Sequence, residues 1–295
     1  MDATVSLPRL AATIGGVRTA RALIADGAQA INDHWESLDP EVRTGVSTLR
    51  DRLLKDRVGL LLMTDRAYPE RLRALRSPPP FLFFRGNLAL VREPGIGMCG
   101  ARNVSERGLE AARACGEEVA RRDWHVISGY AKGVDTETHL AALRTGAGTV
   151  IVLAEGILHF RRKRAFADVP FTDETVLALS QFSPAQRWSA GAAMTRNGII
   201  AALGGALIVI EAGERGGTLN AGEQALGMGR PVFALDFSAA TPPGNRKLFA
   251  QGAGAIRTRG ELASRLADLD GSSSPTTLDG HPQATSQGSL FPPSI

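Results

Sequence analysis

From Gly95 onward the chain alternates short apolar runs with longer segments whose apolar residues recur every three to four positions. IGMC (96–99), HVIS (125–128), TVIVLAE (149–155), ALIVIEA (206–212) and PVFAL (231–235) read as buried strands, and the stretches between them as amphipathic helices. Apolar strands that alternate with helices build βαβ units, in which a mostly parallel sheet is covered on both faces. GLLLMT (59–64) reads as a further strand. SPPPFLFFRGN (77–87) is extended, because consecutive prolines remove backbone donors and fix φ. Residues 5–58, with LPRLAATIGGVRTARALI and LDPEVRTGVSTLRDRLL, space their apolar groups as about two to four short helices. The pattern therefore predicts an α/β protein. It has a small helical accessory domain (1–57), a Rossmann-like domain (58–268) and a disordered tail (269–295), too polar and too rich in Ser, Pro and Gly to form a core.

Turns of one kind follow the strands at 96–99, 125–128 and 206–212. They are GARNVSERG, GYAKGVDTETHLAAL and GERGGTLNAGEQAL, each glycine-rich and each leading into a helix. In a parallel sheet all such turns emerge at the carboxyl ends of the strands, where ligands bind. Glycine lets the backbone approach a ligand closely, and a helix N-terminus offers N–H donors to an anion. The turns predict a phosphate-rich ligand held by Gly100, Arg102 and Ser105, by Ser128, Gly129 and Lys132, and by Gly216, Gly217 and Thr218. Neither the dinucleotide signature G-x-G-x-x-G nor the nucleoside-triphosphate loop G-x-x-x-x-G-K-[ST] is present, which argues against ordinary NAD or ATP sites.

In order, GARNVSERG, ISGYAKGVDTETHLAAL, TVIVLAEGI, TRNGIIAAL and GGTLNAGEQALGMGRPVFAL resemble the DNA-processing protein DprA (Smf) family, as does the lead-in YPERLRALRSPPPFLFFRGN. The resemblance spans roughly residues 58–258. It implies a Rossmann-like domain that forms a homodimer, binds single-stranded DNA in a basic pocket and helps load the recombinase RecA, notably in natural transformation. Carried over by position, Arg102 matches the arginine after the first strand, and Ser128, Gly129, Gly133 and Asp135 match the second turn. Arg196 and Asn197 match an R-N pair, and Gly217, Thr218 and Ala221 match the third turn. The chain also departs from the family. LHFRRKRAF stands where a tyrosine–proline pair and an asparagine are usual, Ser180-Gln181 replaces a serine–glutamate pair, and Gly198 replaces a basic residue.

Charge sharpens this picture. Lys and Arg number 34 against 30 Asp and Glu, a net charge of +4, so clustering carries more information than the total. The densest cluster is Arg161, Arg162, Lys163 and Arg164, after a strand on the same edge as the glycine turns, and it predicts phosphate contacts. Phe160 beside it reads as packing rather than as a base-stacking ring. Asp135 and His139, four apart, read as a cap or structural hydrogen bond rather than an acid–base pair, and Glu155 and Glu211 close the sheet edge or touch a ligand. Cys99 and Cys115 match no metal or redox spacing, the histidines are scattered, and no metal or cofactor is expected. With no signal-like N-terminus and no apolar run near the roughly 18 residues of a membrane helix, a cytoplasmic protein without membrane contact is expected.

The leading expectation is a non-enzymatic single-stranded-DNA-binding protein. A sensor of a nucleotide-derived ligand is the alternative. A phosphoribohydrolase is disfavoured, because its signature P-G-G-x-G-T-x-x-E needs a glutamate where Ala221 stands. QGSLF (287–291) resembles the short peptide that docks on bacterial sliding clamps, a match that five residues can reach by chance.

Overall fold

The computed structural model describes residues 5–271. Residues 269–271 of the expected tail (269–295) are helical, and the rest of it, with the clamp-like peptide at 287–291, lies outside the described residues.

Helices α1 (Leu7–Ile14), α2 (Gly16–Asp26), α3 (Ala28–Ser37) and α4 (Pro40–Lys55) precede the sheet. The strands are β1 (Gly59–Leu62), β2 (Phe81–Gly86), β3 (Gly95–Cys99), β4 (His125–Ser128), β5 (Thr149–Val152), β6 (Val176–Ser180), β7 (Leu207–Val209), β8 (Val232–Leu235) and β9 (Gly254–Ile256). They form one nine-stranded sheet in the order β1-β2-β6-β5-β4-β3-β7-β8-β9. β1–β2 and β2–β6 pair antiparallel, and every pair from β6 across to β9 is parallel. This is the α/β, Rossmann-like, mostly parallel sheet that the alternating pattern predicts.

Alternation within the strands assigns the two faces. Leu61, Leu82, Val150, Val152 and Leu177 point into one core, covered by α5 (Glu70–Arg73), α8 (Ala190–Leu203), α9 (Gly217–Gly227) and α10 (Pro243–Ala250). Leu60, Leu62, Phe81, Phe83 and Ile151 point the other way. There they pack against Leu10, Ile24, Ile31 and Leu53 of the N-terminal helices, so those helices share a core with the sheet. Farther along that face, α6 (Glu106–Ala120), α7 (Val134–Arg144) and α11 (Arg259–Gly271) cover the central strands through residues such as Cys115, Val134 and Leu262. The outer edge of β1 is closed by side chains. Arg9 donates to the Leu60 carbonyl (3.3 Å) and ion-pairs with Asp65, whose carboxylate accepts from the Leu62 N–H (2.8 Å). Such plugging keeps an edge strand from recruiting another chain.

Strands β6 and β9 are absent from the pattern-based reading. The connection from β5 to β6 contains only short 3-10 turns, so the strand–helix rhythm breaks there. β9 is three residues, GAI, and too short and glycine-rich to announce itself.

From β3 the chain steps outward through β4, β5 and β6. It then crosses back by α8 to place β7 on the other side of β3. The order therefore reverses between β3 and β7, and open α/β sheets bind ligands in the crevice outside the strand ends at such a point.

Candidate nucleic-acid interface

The turns after β3, β4 and β7 meet at this crevice. One chamber, about 410 Å³, is lined by Gly100, Arg102, Asp135, Arg196, Gly217 and Thr218, with Cys99, Ile200 and Met194 as its apolar walls. A second, about 470 Å³, is lined by Arg102, Tyr130, Lys132, Glu155, Lys163 and Arg196. Arg102, Ala131, Trp188 and Arg196 border both.

Arg196 forms the floor. It is only 7% exposed, it donates to the Val152 carbonyl at the end of β5 (2.9 Å), and its Nε has no partner. Burial lowers its pKa, with Asp135 opposing that shift, yet a guanidinium this basic stays charged. Gly129 is required beside it: a Cβ there would lie 1.8 Å from Arg196 Nη1 and 2.4 Å from Asp135 Oδ2. The turn after β4 is thus built around a buried cation.

Other expected contacts are used inside the protein. Thr218 donates its hydroxyl to the Gly100 carbonyl (3.0 Å), which locks the first and third turns together, and Asn197 of α8 donates its amide to the Gly217 carbonyl (2.9 Å), which ties the third turn to α8. Ser128 is fully buried and donates to the Met98 carbonyl (2.7 Å), so it braces β3 against β4 below the crevice. Ser105 N-caps α6 by accepting from the Gly108 N–H (2.9 Å). Its own hydroxyl donates to Glu211 Oε1 (2.5 Å), and its N–H donates to Glu211 Oε2 (3.1 Å). The expectation that the α6 N-terminus is open to a phosphate therefore needs correcting: Glu211, at the end of the β7 segment, already supplies the anion there.

The basic run divides. Lys163 turns into the second chamber, where its ammonium lies over the Tyr130 ring (4.0 Å to the centroid) and donates to the Tyr130 carbonyl. Desolvation lowers its pKa, against the opposing pull of Asp135 and Glu155. Arg161 and Arg162 instead line a separate cavity of about 320 Å³ with Arg85 and Asp173, and spend donors on the carbonyls of Leu158, Phe160, Phe166 and Ala167. Arg164 is exposed at the start of a 3-10 turn. Phe160 is buried, packed against Tyr130 and Phe171.

The bland reading of His139 holds. It is fully buried beneath the second turn, with Nε2 2.5 Å from the Gly129 carbonyl and Nδ1 2.6 Å from the Thr149 hydroxyl. Nε2–H donates to the Gly129 carbonyl, while the Thr149 hydroxyl lies between Nδ1 and the Val126 carbonyl, from which it is 2.8 Å. Burial pushes its pKa down to about 4. Asp135 holds its loop by accepting from the Ala131 N–H (3.2 Å). Cys99 is likewise inert, its thiol pKa raised by burial.

Sequence reasoning missed Trp188. The residue is 49% exposed at the crevice mouth, with the Arg102 guanidinium over its ring at 5.2 Å from the centroid. The signal was a tryptophan with no apolar neighbour in QRWSAG, in a chain only 5% aromatic. Among the described residues, no helix is long and apolar enough to cross a membrane.

Comparison with known proteins agrees with this architecture. Residues 59–267 match the family model for DNA recombination-mediator protein A. DNA processing protein DprA of Bacillus subtilis is 28% identical over 244 residues, which covers 82% of this chain and 81% of that protein. DprA of Streptococcus pneumoniae is 33% identical over 171 residues, 58% of this chain and 60% of its own length. The X-ray structure of DprA from Streptococcus pneumoniae superposes with a TM-score of 0.67 at 26% identity, covering 90% of this chain and 98% of that one. DNA processing protein A of Helicobacter pylori, solved to show its single-stranded-DNA binding mode, has a TM-score of 0.64 at 20% identity. It covers 72% of this chain and 96% of its own, a likeness of fold. The chain belongs to the DNA recombination-mediator protein A (DprA/Smf) family.

Proposed function

We propose that the protein binds single-stranded DNA across the carboxyl edge of the sheet, without catalysing a reaction, and presents it to the recombinase RecA in recombination or natural transformation. The observation that carries this reading is Arg102. Its guanidinium stands at the mouth of the crevice, shared by both chambers and stacked on a half-exposed tryptophan. A cation beside an aromatic face suits a nucleotide, whose phosphate takes the charge and whose base takes the ring. Lys132 and Lys163 extend the positive charge along the second chamber. A crevice at a sheet edge admits a threaded flexible backbone more readily than a wide duplex.

Binding rather than hydrolysis fits the third turn. Ala221 is buried where a phosphoribohydrolase needs its carboxylate, and Glu223 is exposed and accepts from Gln251 (3.3 Å), away from the chamber. The homodimer and the RecA partnership are carried by the family resemblance. A nucleotide-sensing role is the second reading, since the apolar-walled chamber of about 410 Å³ is of small-ligand size. Titration of the purified protein with a labelled oligonucleotide and with mononucleotides separates the two. Salt-sensitive oligonucleotide binding supports the proposal, and binding of mononucleotide alone transfers the crevice to the second reading.

A further inference from the structure

The Arg102–Trp188 pair borders both chambers, and the chambers differ in chemistry. One is walled by Cys99, Ile200 and Met194, the other by Lys132 and Lys163. An exposed tryptophan at a site of this kind needs explaining, because burying so large a ring is normally favoured. Trp188 is not loosely placed. The loop before it is pinned by Gly156 N–H to the Gln186 carbonyl (2.8 Å) and by Leu158 N–H to the Pro184 carbonyl (3.0 Å). The residue after it, Ser189, caps α8 by accepting from the Ala192 N–H (3.1 Å). The ring is therefore held out on a fixed platform, and the guanidinium over one face leaves it a preorganised stacking surface.

We propose that Arg102 and Trp188 form a clasp straddled by consecutive nucleotides: a base stacks on Trp188 against the apolar chamber while the adjoining phosphate passes Arg102 into the basic chamber. The proposal rests on the reading of the crevice as a single-stranded-DNA site and adds two things to it. The minimal ligand is longer than one nucleotide, because a mononucleotide occupies one chamber only. Trp188 contributes stacking, which releases no counterions, so its loss changes affinity and not the salt slope.

The test titrates wild type, Trp188→Ala and Trp188→Phe with thymidylate oligomers of increasing length, at several salt concentrations, with melting temperature as the control for folding. Wild type should bind a short oligomer far more tightly than the mononucleotide. Trp188→Ala should weaken oligomer binding by about five- to a hundredfold with an unchanged slope of log affinity against log salt. Trp188→Phe should recover much of the loss and also remove the ligand-induced quenching of tryptophan fluorescence. If wild type binds oligomers and Trp188→Ala binds them equally well, or loses affinity through a flatter salt slope, the clasp is wrong and the DNA reading stands. If wild type binds no oligomer, the DNA reading fails and the clasp with it.

Discussion

Glu211 closes the N-terminus of α6 by accepting from both the N–H and the hydroxyl of Ser105, at 3.1 and 2.5 Å. Many Rossmann-type sites leave that helix end open for a pyrophosphate. Here a resident carboxylate fills it, and Gly108 makes the room: a Cβ at that position would lie 2.4 Å from Glu211 Oε1. In the proposed site an anion would instead face Arg102, Arg196 and the lysines, beside the uncapped N-terminus of α9 at Gly216 and Gly217.

Glu211→Gln removes one negative charge near the crevice while keeping a side chain that still accepts from Ser105. Oligonucleotide affinity should rise by a few-fold at low salt, and the gain should shrink as ionic strength screens it. Glu211→Ala should in addition cost about 1 kcal/mol of stability through the lost cap interaction. Titration at two salt concentrations and a denaturant melt measure both effects. Weaker binding by Glu211→Gln would show that the carboxylate orders the turn more than it repels the ligand.

The basic run offers a second comparison. Lys163→Glu should weaken DNA binding more than Arg161→Glu or Arg162→Glu, because Lys163 faces the second chamber while the two arginines line a separate cavity. Equal losses in side-by-side titrations would mean that the bound strand leaves the crevice toward Arg161 and Arg162.

His139 makes stability depend on pH. Its pKa is pushed from 6.5 down to about 4 in the folded protein, so the unfolded chain takes up a proton that the folded chain refuses. Its contribution to stability is complete above pH 6.5 and declines as pH falls from there toward 4. Comparing wild type with His139→Gln by denaturant titration across that window isolates this part from the general acid response of carboxylates. Parallel stability–pH curves for the two proteins would contradict the assignment.

Asn245 is fully buried and ties three backbone groups together. Its amide donates to the carbonyls of Ile210 (2.9 Å) and Leu235 (2.7 Å), and its oxygen accepts from the Ala212 N–H (2.8 Å). Asn245→Leu strands all of them and should cost at least about 3 kcal/mol. Chemical denaturation measures it, and a loss below about 1 kcal/mol would mean that the groups find other partners.

Asn245 also marks the limit of what the pattern of residues reveals. The parallel sheet, its covered faces and the meeting of three turns are legible because apolar runs and glycine-rich turns are local signals. Ser105 at the start of a helix is local too, and it does cap α6. Its partner Glu211 lies 106 residues away, in the turn after β7, so the closure of that helix end is a tertiary event. The division of Arg161–Arg164 is hidden for the same reason: adjacent side chains on an irregular loop take directions set by carbonyls that only the folded loop presents. Trp188 carries a readable signal in its polar surroundings, but its stacking under Arg102 depends on how the loop before α8 is pinned.

The central claim is that Arg102 grips a phosphate of single-stranded DNA at the reversal of strand order. Its most direct test is the affinity of wild type and Arg102→Ala for one labelled single-stranded oligonucleotide over a range of salt concentrations. Each phosphate neutralised contributes a slope of roughly −0.7 in log affinity against log salt for single strands. Arg102→Ala should bind more weakly and show a slope flatter by nearly one such contact, with little change in melting temperature. Binding as tight as wild type at every salt concentration would contradict the assignment.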